Sequence, residues 1–266
     1  MKRLIDLFAS CYKISKNLAE ESSIDKIFLA TKTFLIIFIL KFFKREFVFQ
    51  IFFKNKKFDF VVNDRMDLAV LEETFVKREY EFNYFPKPKV IVDLGANVGD
   101  TAIFYSILFP EAKIFSVEPN PAVWEKLEKN TEKFPNIKIC KYAVSDKTGK
   151  IDLYFGDSHL GSSIKSREQN KNSVEVEVYS LEDFYKKENL EKISEKIDIL
   201  KFDIEGAEEF LLGSAFLKKN VLQIAGEIHD DLTSVPMLEK LEKLNLKNKE
   251  IKTLSKTRYI IFGQIP

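Results

Sequence analysis

From residue 89 onward, short apolar runs alternate with amphipathic segments. The runs at 89–94, 113–118, 137–144, 197–203 and 221–228 are rich in β-branched and aromatic residues, and they predict strands. The segments at 100–109, 121–133, 181–192, 207–217 and 235–244 carry apolar residues at helical spacing and predict helices. Asn120 before Pro121 is a cap with a first-turn proline, and Ser180 with Asp183 marks a second helix start. Such alternation builds a parallel sheet covered by helices on both faces. Two alternating runs, 150–155 and 173–180, predict extra strands between the third and fourth of the series. Residues 249–263 predict an antiparallel hairpin at the sheet edge, its strands joined by a three-residue link.

The first 85 residues pattern differently. They hold neither breaker: the first proline is Pro86, and all nine glycines lie at Gly95 or beyond. Residues 2–20 and 24–44 predict two helices, 46–62 a strand pair turning at Lys54–Lys57, and 66–80 a third helix. The shift places a boundary there, giving an extension over 1–85 and a main domain over 86–266. The greasy segment 27–43 is interrupted by Lys32 and Lys41. Its longest uncharged stretch, Thr33 to Leu40, falls far short of the ~20 residues a spanning helix needs, so a buried helix is the expectation. Asp6 breaks any early apolar run and argues against a signal peptide.

Charge adds one point. The chain is +1 overall, yet residues 1–57 hold 12 basic against 5 acidic side chains, which leaves the rest at −6. A basic end suits peripheral contact of residues 1–45 with an anionic membrane surface, while an acidic body opposes nucleic acid as a partner. The two cysteines, Cys11 and Cys140, form no C-x-x-C pair, so disulfide frameworks and zinc sites are not expected and the cytoplasm is the default compartment. Oligomeric state leaves no mark in the sequence.

The candidate chemistry begins at "VDLGANVGDT", residues 92–101. A strand ends in Asp93. Gly95 and Gly99 then let the backbone turn and approach a ligand, and a helix opens with Thr101 in its first turn. The spacing is not that of a dinucleotide fingerprint, since Asn97 stands where a glycine would admit pyrophosphate. Asp93 suits a ligand with a cationic end, such as S-adenosylmethionine, which has an ammonium, a sulfonium and no phosphate. Glu118 ends the next strand 19 residues after Gly99, where a carboxylate accepts hydrogen bonds from ribose hydroxyls. Ala143 and Val144 end the third strand at the level of an adenine ring.

With "VEPNP", "YAVSD", "YSLEDF", "LKFDIEGAEE" and "GEIH" in this order, the chain resembles the FkbM-type family of S-adenosylmethionine-dependent methyltransferases over roughly residues 66–263. The resemblance implies an α/β class I methyltransferase fold. That is a Rossmann-like three-layer sandwich with a seven-stranded, mainly parallel sheet whose last strand is antiparallel. It also implies an O-methyltransferase acting on a hydroxyl of a sugar, glycan or secondary metabolite.

The chemistry should then lie at the carboxyl ends of the strands. Alternation along "DILKFDIEG" puts Lys201, Asp203 and Glu205 on one side, and "GEIH" brings Glu227 and His229 to the neighbouring strand end. An alcohol is a poor nucleophile and needs help to lose its proton. His229 has the intrinsic pKa for that base. Magnesium held by Asp203 and Glu227 is the alternative, but Lys201 competes for the same carboxylates, so no metal ligands are assigned. A nucleic-acid methyltransferase is a rival reading, opposed by "DIEG" where an Asn/Asp-Pro-Pro-aromatic segment would stand. A non-catalytic donor-binding scaffold is another.

Overall fold

The computed structural model describes residues 15–16, 46–85, 87–155, 162–163, 172–233 and 237–266. The helices expected over 2–20 and 24–44 lie outside these residues, apart from the helical pair Ser15 and Lys16. Among the described residues, no helix is long and apolar enough to cross a membrane. The chain divides into two compact units, residues 1–81 and 82–266.

In the first unit, β1 (Phe47–Phe53) and β2 (Lys56–Val62) form an antiparallel hairpin. Its turn is Lys54–Asn55, both at positive φ. Helix α1 (Arg65–Leu71) follows, capped by Asp64 and by Asp67 reaching back to the Asp64 amide. The single helix expected over 66–80 instead widens into a π-helical stretch, Glu72–Val76, and ends before Arg78 at φ 53°. That stretch seats Phe75, fully buried, edge-on against Phe53 and tilted against Phe58.

The second unit carries the alternating pattern. Its strands are β3 (Val90–Leu94), β4 (Lys113–Val117), β5 (Ile137–Cys140), β10 (Ile197–Phe202), β11 (Val221–His229), β12 (Lys247–Thr253) and β13 (Arg258–Gln264). They form a seven-stranded sheet in the order β12-β13-β11-β10-β3-β4-β5. All pairings are parallel except those of β13, the last strand, which runs antiparallel between β11 and β12. The expected hairpin is present, with β12 at the edge and four residues, 254–257, in its link. β3 is buried along its whole length, as a central parallel strand requires. Helices α2 (Asp100–Leu108), α3 (Pro121–Thr131), α4 (Leu181–Lys187), α5 (Glu208–Gly213), α6 (Ala215–Asn220) and α7 (Met237–Lys243) connect the strands.

Three expectations are corrected by local chemistry. The strand expected over 137–144 breaks at Lys141–Tyr142. Its second half, β6 (Ala143–Ser145), joins a separate four-stranded sheet with β7 (Gly149–Phe155), β8 (Ser162–Ser163) and β9 (Asn172–Ser180). At the break, Tyr142 donates its hydroxyl to Glu188 at 2.6 Å and stacks edge-on with Tyr179 of β9. The helix expected over 207–217 splits because Ser214 leaves helical φ/ψ and caps the Leu217 amide instead. The helix expected over 181–192 stops at Lys187, and Asn189 at φ 54° turns the chain into a single 3₁₀ turn.

The chain runs from β3 outward through β4 to β5, then returns to build β10 and β11 on the other side. The strand order therefore reverses between β3 and β10. A crevice opens outside the carboxyl ends of the strands at such a point.

Candidate functional site

The crevice is a cleft enclosing about 720 Å³, its open mouth included. The ends of four chain segments line it. Leu94 ends β3, with Gly95 and Asn97 after it, and Val117 ends β4, with Glu118 and Asn120 after it. Ala143 and Val144 come from β6, and Asp203, Ile204 and Glu205 follow β10.

The β3 turn is held from both sides. The Gly95 and Ala96 amides donate to the Val117 carbonyl at 3.0 and 3.1 Å, and the Asp203 amide donates to the Leu94 carbonyl at 3.0 Å. Gly95 sits at φ 75°, and a Cβ there would lie 1.8 Å from the Asp203 carbonyl oxygen. The glycine is thus demanded by backbone packing against β10 as well as by its φ. Gly99, at φ 91°, has a different reason. A Cβ there would meet Leu127 and Thr131 at 2.9 Å, so it lets α2 pack on α3 and does not line the cleft.

Glu118 is 5% exposed. Its two carboxylate oxygens accept from the Asn97 amide at 2.8 Å and the Asn120 amide at 2.7 Å. Burial pushes its pKa up to about 7, although those two amides and the Lys201 charge pull it down. Each oxygen keeps a second lone pair for a donor in the cleft.

Asp93 and Thr101 stand behind the cleft wall. Asp93 is fully buried, accepts from the Thr101 hydroxyl at 2.6 Å and pairs with Lys201 at 3.0 Å. Lys201 also donates to the Gly95 carbonyl at 3.0 Å. Burial works against the Lys201 charge, but the Asp93 and Asp203 carboxylates outweigh it and hold its pKa above the usual value. Lys201 and Asp93 are register partners on adjacent strands, so the pair braces β10 to β3 under the turn. The expectation that Asp93 meets the ligand's cation, and that Lys201 stands with the acidic group, gives way to this internal pair. A carboxylate already neutralised by a buried ammonium has no charge to spare for a ligand.

The other ionisable residues do come together, around His229. The ring is 1% exposed. Its Nδ1 lies 2.8 Å from Glu208, and its Nε2 lies 3.3 Å from Glu227, 3.8 Å from Asp203 and 3.9 Å from Glu205. Alternation does not explain the arrangement, because β10 ends at Phe202. Asp203 follows it, and Glu205 is turned back by its own φ of 45°. Glu208, fully buried, also accepts from the Gly206 amide at 2.7 Å. Burial opposes a charge on His229, but hydrogen bonds to Glu208 and Glu227 and the charge of Asp203 raise its pKa to about 11. The sequence reading assigns His229 as the base. Both of its ring nitrogens face carboxylates, which leaves neither free to take a proton from an acceptor hydroxyl.

Glu208 is the residue that sequence reasoning misses. It stands three after Glu205 in "IEGAEE", and either glutamate of the "EE" pair could have turned inward. Of the remaining expected residues, Gly95, Asn97, Glu118, Ala143, Val144, Asp203 and Glu205 line the cleft, and Glu227 and His229 adjoin it through Asp203.

Residues 93–245 match the family described as the methyltransferase FkbM domain. The chain belongs to this family. Methyltransferase sdnD of Sordaria araneosa is 27% identical over 168 residues, covering 52% of this chain and 65% of its own length. 2-O-methyltransferase NoeI of Sinorhizobium fredii is 30% identical over 139 residues, covering 46% and 55%. Hexuronic acid methyltransferase AglP of Haloferax volcanii is 25% identical over 177 residues, covering 66% and 70%. The chain spans less than two thirds of the length of the first two relatives. The FkbM-type resemblance and the expected seven-stranded α/β fold both hold.

Proposed function

We propose that the protein methylates a hydroxyl oxygen of a sugar or sugar-like acceptor, with S-adenosylmethionine as donor. The observation that carries this reading is one continuous cleft with two unlike ends. One end offers the Glu118 carboxylate, flanked by Asn97 and the small apolar pair Ala143 and Val144. The other offers Asp203 and Glu205, which adjoin His229 and Glu227. The names of two relatives, a 2-O-methyltransferase and a hexuronic acid methyltransferase, support an oxygen on a sugar as the acceptor.

The residues fit the donor. Glu118 would accept its ribose hydroxyls through the free lone pairs, and Ala143 and Val144 would flank the adenine. When bound, the donor supplies a methyl carbon on sulfonium, so a C–O bond forms as the C–S bond breaks and its electron pair leaves with sulfur. The chain's share is alignment of the oxygen and removal of its proton. Asp203 and Glu205 are the two clustered carboxylates that also line the cleft. One of them takes the proton, because both ring nitrogens of His229 already face carboxylates.

The test is transfer of label from methyl-labelled donor to a panel of hexoses, hexuronic acids and their glycosides. The expected product is a base-stable methyl ether. Changing Asp203→Asn and Glu205→Gln together should lower turnover by about 10²–10⁴-fold. Label found only in nucleic acid or in base-labile ester would overturn the reading.

A further inference from the structure

Three carboxylates converge on one edge of the buried His229 ring. Glu208 satisfies Nδ1 at 2.8 Å. Glu208 is itself fixed by the Gly206 amide, so the ring orientation is set. The Nε2 edge then faces Glu227, Asp203 and Glu205 at 3.3, 3.8 and 3.9 Å. One imidazole nitrogen and the oxygens of several carboxylates thus converge on one point, a donor set that suits a divalent cation.

The three oxygens stand around Nε2 in a fan. Atoms that share a metal at bond lengths near 2.1 Å lie about 3.0–3.4 Å apart. The ligand atoms of Asp203, Glu227 and His229 all lie within 4.8 Å of one another. Side-chain shifts within the reach of rotamer adjustment would close them on an ion. Two further observations favour the ion. Lys201, the competitor expected for these carboxylates, is committed to Asp93 and Gly95. A buried carboxylate on the far nitrogen of a ligating histidine is the usual way such a ring is oriented.

We propose that Asp203, Glu227 and His229 form a divalent metal site, with Glu208 orienting His229 and Glu205 at the site's edge. One imidazole with two carboxylates suits an ion of the manganese, iron or zinc kind over calcium, which takes oxygen alone. The site would lie at the acidic end of the cleft, where such an ion supplies Lewis-acid polarisation of an acceptor oxygen. Asp203 and Glu227 would then be occupied, leaving Glu205 to take the proton. This use of the ion rests on the methyl-transfer reading, whereas the site itself rests on the geometry alone.

The experiment is a manganese titration of the full chain after removal of bound metal, followed by loss of the free-ion electron paramagnetic resonance signal. S-adenosylhomocysteine binding is measured by calorimetry on the same samples. One saturable site is expected, with a dissociation constant below roughly 100 μM. Glu227→Gln and Asp203→Asn should each weaken it at least about tenfold, and Glu208→Gln should weaken it about 10–100-fold without touching the ion. Asp203, the most exposed of the three at 34%, serves as the variant least disruptive to folding, and circular dichroism checks each one. No saturable manganese on natively folded protein, or equal binding by all three variants, would overturn the proposal. Manganese binding without S-adenosylhomocysteine binding would leave the metal site standing and remove the methyl-transfer reading. The reverse result would remove the metal site alone.

Discussion

Glu118 shows how one side chain can report the whole reading. Its folded pKa of about 7 lies above the ordinary 4.5, because burial penalises the charge more than two amides relieve it. The folded state therefore binds this proton more tightly than the unfolded chain does. Its stabilising contribution is complete below about pH 4.5 and is lost as the pH rises through about 7. The melting temperature of the ligand-free protein should fall between pH 5 and 8 more steeply than that of Glu118→Gln, by differential scanning calorimetry at both ends. Ribose hydroxyls prefer the ionised carboxylate, so binding should run the other way. Adenosine has no group that titrates in this window, and its affinity should rise about tenfold from pH 6 to 8. A flat profile in wild type would mean that Glu118 does not meet the ribose. Gly95 makes a separate prediction. Gly95→Ala places a methyl group 1.8 Å from the Asp203 carbonyl at a φ of 75°, so it should cost about 2–4 kcal/mol of stability by thermal melting, whatever its effect on ligand.

At the scale of elements, the β3–β10 seam is held by a buried ion pair. Removing one partner leaves an unpaired charge in the core. Lys201→Met should therefore cost about 3–5 kcal/mol in chemical denaturation, and pairing it with Asp93→Asn should recover part of that loss. No recovery in the double variant would mean that Lys201 acts through packing alone. The seam also shows what a sequence can and cannot reveal. The strands and glycine turns were legible because period-two and period-3.6 patterns and left-handed glycines are local properties. Lys201 reads as an active-site group because it stands two residues before Asp203. Its true partner, Asp93, is 108 residues away, and only the parallel register of β3 and β10 brings them level. Glu208 was hidden for the same reason, since its role depends on where β11 ends. The break at Lys141–Tyr142 depends on Glu188, beyond the insert. What escaped the sequence was long-range pairing of charged and hydroxyl groups, for which hydrophobic periodicity carries no signal.

For the whole molecule, the charge separation and the cleft make independent predictions. The local +7 of residues 1–57 against −6 in the rest should give binding to vesicles containing anionic lipid at low salt, lost above a few tenths molar salt and lost on removal of residues 1–45. Equal sedimentation of both forms with vesicles would end that expectation. The cleft is the larger claim: one crevice at the reversal between β3 and β10 holds the donor at one end and prepares an acceptor oxygen at the other. The most direct measurement is a crystal structure with S-adenosylhomocysteine bound. The account predicts ribose hydroxyls on the Glu118 carboxylate, adenine beside Ala143 and Val144, and the sulfur turned toward Asp203 and Glu205. A ligand seated with its ribose away from Glu118, or with its sulfur directed away from the His229 cluster, would contradict it.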